Sequence, residues 1–299
     1  MSRKGLRLLA VHAHPDDESS KGAAMMAAYV AAGAEVMVAS CTGGERGDIL
    51  NAAMNDDPHA KRDLPGLRRL EMARAISELG VQHRWLGFTD SGLPEGDPLP
   101  ELPSDCFAVQ PLERASAPLV KLVREFRPHV IISYDENGGY PHPDHIMSHR
   151  VTVEAFEAAG DPERYPGTGQ AWSPSKLYYD RAFNPERFKA LHSALEDAGM
   201  ESPYAERIAQ WFEADAEGNQ PPAALHATTT QIESSAYFGV REAALKAHRT
   251  QVDPAGFFFA VSVELQQQVW PWEDYSLITS HVETTLPESD FFAGVTADA

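Results

Sequence analysis

Short segments at residues 6–12, 35–40, 82–86 and 130–134, mostly apolar except for 82–86, alternate with longer segments of helical period, around residues 18–32, 67–79, 112–126 and 145–159. Runs that are apolar throughout suit strands buried on both faces, and the helical segments between them suit the crossovers that join parallel strands. The alternation predicts a mostly parallel sheet flanked by helices, an α/β fold. Residues 42–63 and 94–111 read as long loops, and loops of that length inside a compact domain are usually functional.

The second half carries a weaker signal. Residues 162–174 read as a connection, 185–198 as a helix, 213–222 as a polar loop, 228–232 as a strand, 235–248 as a helix, 257–263 as a strand, and 283–299 as a loosely packed tail. The expected organisation is a catalytic core over residues 1–160 and a C-terminal portion over 161–299. The latter completes the substrate cleft without being an independent domain.

Composition narrows the function. A chain of 299 residues with 43% hydrophobic content can bury a large core without disulfides. Its net charge of −19, from 25 Lys and Arg against 44 Asp and Glu, repels phosphates, so neither nucleic acid nor an anionic membrane is an expected partner. Cys41 and Cys106 lack a CxxC spacing and read as small buried hydrophobes, which a reducing cytoplasm tolerates. No apolar run approaches the roughly 18 to 20 residues of a membrane helix, and no signal peptide is read, so a cytoplasmic location is expected. The absence of G-x-S-x-G, Walker A, H-E-x-x-H and G-x-G-x-x-G patterns removes support for serine-hydrolase, nucleotide-phosphate and dehydrogenase readings.

Chemistry concentrates in His12-Ala13-His14-Pro15-Asp16-Asp17, after the first apolar run, and in Tyr140-Pro141-His142-Pro143-Asp144-His145, after the fourth. Alone, either motif could be a helix cap. Together they place imidazoles and carboxylates beyond two strand C-termini, the edge where open α/β sheets bind ligands. A catalytic Zn²⁺ takes three protein ligands and keeps one position for water. Two histidines and one carboxylate from these loops meet that need. Adjacent Asp16 and Asp17 can divide the labour, one binding the metal and the other taking a proton from water. A cationic histidine would stabilise the oxyanion or protonate the leaving amine.

HxHPDD followed downstream by HPDH resembles the LmbE-like, or GlcNAc-PI de-N-acetylase, family of zinc amidases, and the resemblance runs over nearly the whole chain. It implies a Rossmann-like core with a smaller C-terminal α+β extension packed on it, and hydrolysis of a small-molecule amino-sugar amide. On matching positions it implies His14, Asp17 and His145 as zinc ligands, a set that Fe²⁺ shares. Asp16 would be the general base, and His142 the oxyanion stabiliser and general acid. Tyr140 would support the tetrahedral intermediate, and Asp144 would orient an imidazole.

The resemblance also places Arg68 and Asp90 on sugar hydroxyls, Glu45 in the substrate-binding set, and Lys21 toward an inositol. Residues 18–22 and 41–48 resemble the family's amidase branch more than its deacetylase branch. From residue type alone, Arg68 is a solvated helix-surface charge and Lys21 an exposed lysine in a first helical turn. His12 stands either behind the ligands or in the packing. His248 and Gln251 either line the cleft or close a helix, and Trp270 and Trp272 read as core or rim aromatics. The competing class is a noncatalytic module holding a structural ion. Structural zinc sites are closed by four protein ligands, so a free carboxylate beside three ligands argues against it.

Overall fold

All four short segments form strands: β1 (Arg7–His12), β2 (Glu35–Thr42), β3 (Gln82–Phe88) and β4 (Val130–Ser133). The computed structural model describes residues 2–216 and 226–297. Three further strands, β5 (Lys176–Asp180), β6 (Thr230–Glu233) and β7 (Trp272–Ser280), extend the same sheet to seven in the order β3-β2-β1-β4-β5-β7-β6. The first five pair in parallel, and β7 runs antiparallel to both β5 and β6. The expected α/β class, with a mostly parallel sheet, is what the chain adopts.

The helices are α1 (Asp17–Ser20), α2 (Ala23–Ala31), α3 (Pro58–Arg62), α4 (Leu64–Leu79), α5 (Leu112–Phe126), α6 (Pro143–Ala158), α7 (Pro185–Asp197), α8 (Ala205–Ala216), α9 (Phe238–Ala247) and α10 (Val263–Val269). Side chains alternate across the sheet. Leu8, Ala10, Val130 and Ile132 pack with α2, α4 and α9 on one face, while Leu9, Val11 and Ile131 pack with α5 and α6 on the other. A third cluster joins α7 to Tyr204, Ile208 and Val261. Because β1 lies between β2 and β4, the chain reverses its winding direction there, and the β1 and β4 loops open into one crevice. No helix among the described residues is long and apolar enough to cross a membrane.

Several expectations fail locally. The helix expected over 18–32 breaks after Ser20: Lys21 is extended, and Gly22 takes φ 89°, a left-handed conformation that costs glycine little. A Cβ at Gly22 would also come within 3.0 Å of the Tyr275 hydroxyl. Residues 257–263 form no strand; a 3-10 turn over Phe257–Phe259 leads instead toward α10. Residues 213–216 close α8, and 217–222 lie outside the described residues.

The supposed loose tail is anchored. Phe291 and Phe292 are buried in the core, and Glu288 accepts hydrogen bonds from buried Lys176 and from Tyr178. Strand β7 escaped the sequence pattern because it buries carboxylates. Glu273 accepts the Met25 N–H at the start of α2, while Asp274 accepts from Asn184, Gln231 and the Trp270 indole.

Candidate active site

The loop after β1 turns on Asp16, which holds φ 114°, a left-handed value rare for a side-chain-bearing residue. The turn is held from both sides. The Glu18 carboxylate accepts the Asp16 N–H at 2.9 Å, and buried His248 pairs with the same carboxylate at 2.7 Å. Arg68 donates to the carbonyls of Pro15 (2.7 Å) and Gly44 (3.1 Å) and lies 3.5 Å from the Asp16 carboxylate. Such strain persists only where the surroundings over-determine it, and here they do.

Asp17 then points inward to a buried cluster. Its Oδ2 accepts from the His14 N–H (3.0 Å) and the Tyr134 hydroxyl (2.7 Å), and faces His14 Nδ1 at 3.6 Å and His145 Nε2 at 3.4 Å. Lys21 donates to Oδ1 at 2.6 Å. Burial alone would raise the Asp17 pKa, but Lys21 and then His145 outweigh it and hold the carboxyl well below its ordinary value.

His145 enters at the start of α6. Its Nδ1 is 2.9 Å from the Gly138 carbonyl, which makes that nitrogen a donor and turns Nε2 toward Asp17. Gly138 has φ 71°, and a Cβ there would sit 2.5 Å from the His145 Cβ.

Donor atoms of His14, Asp17 and His145 lie within 4.8 Å of one another, all in buried residues, so the imidazole and carboxylate set expected for a metal is assembled. A second convergent set, His14, Asp90, His142 and Asp144, shares His14 through its other nitrogen. His14 Nε2 lies 3.3 Å from Asp144 and 3.5 Å from Asp90. In the metal-free chain burial opposes charge on His14, but bonds to Asp144, Asp17 and Asp90 raise its pKa well above the ordinary value. Asp144 Oδ2 also accepts the Ser91 N–H at 2.8 Å, which fixes the carboxylate beside the imidazole.

His142 is the N-cap of α6, its Nδ1 accepting the Asp144 N–H at 3.1 Å. Burial first, then His14 and His145, push its pKa down to about 3. Burial thus favours a neutral His142 here, and with Nδ1 accepting, its Nε2 is the donor. Tyr140 is partly exposed, and its hydroxyl is 3.5 Å from His145 Nε2. Burial raises the phenol to about 12, so it too is a donor. Burial also raises Asp16 above the ordinary carboxylate range, with Arg68 opposing, which favours proton uptake.

Beside this cluster opens a cavity of about 240 Å³, whose wall includes Asp16, Asp17, Lys21, Tyr140 and Gln251. Among the described residues, that wall includes none of Arg68, Asp90 and Glu45. Asp90 is buried and accepts N–H groups of Gly92 and Arg46, and Glu45 accepts those of Gly43 and Asp90. These three brace the loops around the site in this structure rather than presenting free groups to a ligand. Arg68 is buried, not solvated, because the Pro15 and Gly44 carbonyls need a donor. Lys21 is likewise buried, on Asp17 instead of in solvent. Neither His12 ring nitrogen has a hydrogen-bond partner among the described residues, and burial lowers its pKa to about 4.

Tyr134, Glu18 and His248 support the site in ways their sequence neighbourhoods did not disclose: His248, read as a cleft or helix-end residue, is buried on Glu18, and Tyr134 donates to Asp17.

Asp180, at the end of β5, is partly buried near Lys21, and burial raises its pKa to about 6. An acid whose folded pKa exceeds the unfolded value near 4 destabilises the fold as pH rises between the two. Asp180→Asn is expected to stabilise the protein at pH 7.5 by of order 2 kcal/mol, a gain that shrinks as pH falls through 6 toward 4. Urea unfolding at several pH values checks this; a loss of stability at pH 7.5 would refute it.

Residues 9–156 match the family model described as GlcNAc-PI de-N-acetylase. Mycothiol S-conjugate amidase of Streptomyces coelicolor is 52% identical over 296 residues, covering 98% of this chain and 99% of that protein. The chain belongs to the GlcNAc-PI de-N-acetylase family. A 1D-myo-inositol 2-acetamido-2-deoxy-alpha-D-glucopyranoside deacetylase of Streptomyces scabiei is 38% identical, with 99% of this chain and 91% of that protein covered. Among solved structures, N,N'-diacetylchitobiose deacetylase of Pyrococcus horikoshii superposes with TM-score 0.60 at 16% identity, covering 91% of this chain and 83% of that one. The zinc-inhibited form of teicoplanin deacetylase gives 0.55 at 17%, covering 93% and 100%. The family member described here is an amide-bond hydrolase, and the noncatalytic reading falls.

Proposed function

We propose that this enzyme hydrolyses mycothiol S-conjugates, cleaving the amide between glucosaminyl-inositol and an S-substituted N-acetylcysteine to release a mercapturic acid. The observation that carries this is the 52% identity, end to end, with an amidase of that name, against 35 to 41% for the deacetylases. The reaction fits thiol-dependent detoxification in the cytoplasm.

His14, Asp17 and His145 would hold Zn²⁺, or Fe²⁺ in the cell. When bound, the ion supplies Lewis acidity, making water nucleophilic near neutral pH and polarising the amide carbonyl. Asp16, beside the ligands and facing the cavity, takes the proton of the attacking water. His142, as a neutral donor, offers Nε2–H to the developing oxyanion, and the Tyr140 hydroxyl adds a second hydrogen bond. The proton held by Asp16 is then available to the leaving amine. Asp144 keeps His14 in orientation, and Arg68 keeps the Asp16 turn closed.

The deacetylase reading, hydrolysis of N-acetylglucosaminyl-inositol, is favoured by the many relatives so named at 35 to 41% identity. Amine release by zinc-loaded protein on the two substrates at equal concentration separates them. A preference for the conjugate of a hundredfold or more in kcat/KM, about 2.7 kcal/mol, is expected. Preference for the acetyl compound would overturn the amidase assignment.

A further inference from the structure

The cavity beside the cluster is lined by unlike groups. Near the metal ligands it is polar, with Asp16, Ser20, Lys21 and Gln251 in reach of hydroxyl groups. It is also lined by five aromatic rings, Phe183, Phe188, Tyr204, Phe257 and Phe258, with Arg187, Arg241, Gln266 and Glu273 lining the same cavity.

The aromatic wall is an assembled surface. Phe188 and Tyr204 stack with centroids 4.9 Å apart and planes 5° from parallel, and Phe257 stands edge-on to Tyr204 at 5.4 Å. The Arg207 guanidinium caps the group, 5.1 Å from the Phe183 ring and 5.6 Å from Phe257. The rings come from the loop after β5, from α7, from the approach to α8 and from the turn before α10. Phe257 and Phe258 nonetheless keep 38% and 44% of their surface exposed. Rings held in fixed geometry with open faces at a reaction centre suit an apolar ligand group.

We propose that this aromatic wall is the subsite for the S-substituent of the conjugate and that it favours aryl groups. The inference rests on the amidase reading above. Hydroxyl-rich glucosaminyl-inositol finds hydrogen-bond partners among the polar lining residues and none on the exposed phenyl faces of Phe257 and Phe258. An acetyl group would leave those faces uncovered. An aryl thioether joined to the acyl side of the scissile amide covers them and removes apolar surface from water on both partners.

The test compares S-benzyl and S-methyl conjugates in the zinc-loaded wild type, in Phe257→Ala and in Phe258→Ala. Calorimetric titration with the products S-benzyl and S-methyl N-acetylcysteine runs in parallel. The wild type should prefer the benzyl conjugate by tenfold or more in kcat/KM, about 1.4 kcal/mol. The benzyl-to-methyl ratio should fall by tenfold in Phe257→Ala, with the same ratio falling in product affinity. Because the readout is a ratio within each variant, a general loss of folded protein cancels.

A ratio within twofold of wild type in both variants would overturn the subsite while leaving the amidase reading intact. Turnover of N-acetylglucosaminyl-inositol with neither conjugate cleaved would overturn the amidase reading, and the subsite with it.

Discussion

Asparagine at position 16 is expected to lower kcat by two to four orders of magnitude, the range general-base catalysis supplies, while the protein keeps its zinc. The substitution is chosen for the backbone. Asparagine tolerates left-handed φ values better than most residues, so the turn at φ 114° survives, held by Glu18 and His248 through the residue-16 amide. Asp16 is absent from the convergent donor sets, so metal content should stay at the wild-type value. What disappears is the carboxylate that accepts the proton. Activity assays, zinc analysis and thermal melting on one preparation are sufficient. A variant within tenfold of wild-type kcat would remove Asp16 from the base role, and one that lost its metal would place Asp16 among the ligands.

The parts of this molecule that were legible in its sequence are those whose residues have a single plausible environment. Strands β1 and β4 are apolar on both faces because helices cover both, so their runs are unbroken. The His-rich loops announced themselves because imidazoles and carboxylates beside prolines have few other uses at strand ends.

Other parts were hidden by polar groups that find buried partners. Strand β7 reads as a polar segment because Glu273 and Asp274 face inward to cap α2 and to hold Asn184 and Trp270. The C-terminal segment looked loose because nothing in its own sequence shows that Glu288 meets Lys176, 112 residues away. Arg68 reads as a solvated helix charge until the Pro15 and Gly44 carbonyls are seen to need it. The aromatic wall was out of reach for the same reason, since its rings come together only through tertiary packing. The Phe257–Phe259 run has strand-like composition, yet it forms a turn that brings the Phe257 and Phe258 rings to the cavity.

The second large effect concerns which donor set holds the metal, because two convergent sets share His14. In the set of His14, Asp17 and His145, Asp17 lines the cavity, so an ion there has an open side toward substrate. In the other set, the Asp144 and Asp90 carboxylates are already engaged by backbone N–H groups and neither lines the cavity. A catalytic ion needs the open position, which favours the first set. His145→Ala is therefore expected to reduce bound zinc from one per chain to a small fraction after dialysis and to abolish turnover. The fold should persist by circular dichroism, since the β1 and β4 core does not depend on this ring. Asp144→Asn should act more gently, weakening metal affinity by about 10- to 100-fold, because it only orients a ligand. If His145→Ala kept stoichiometric zinc while Asp90→Asn lost it, the metal would belong to the second set, and the proposed roles of Asp16 and His142 would have to be reassigned around it.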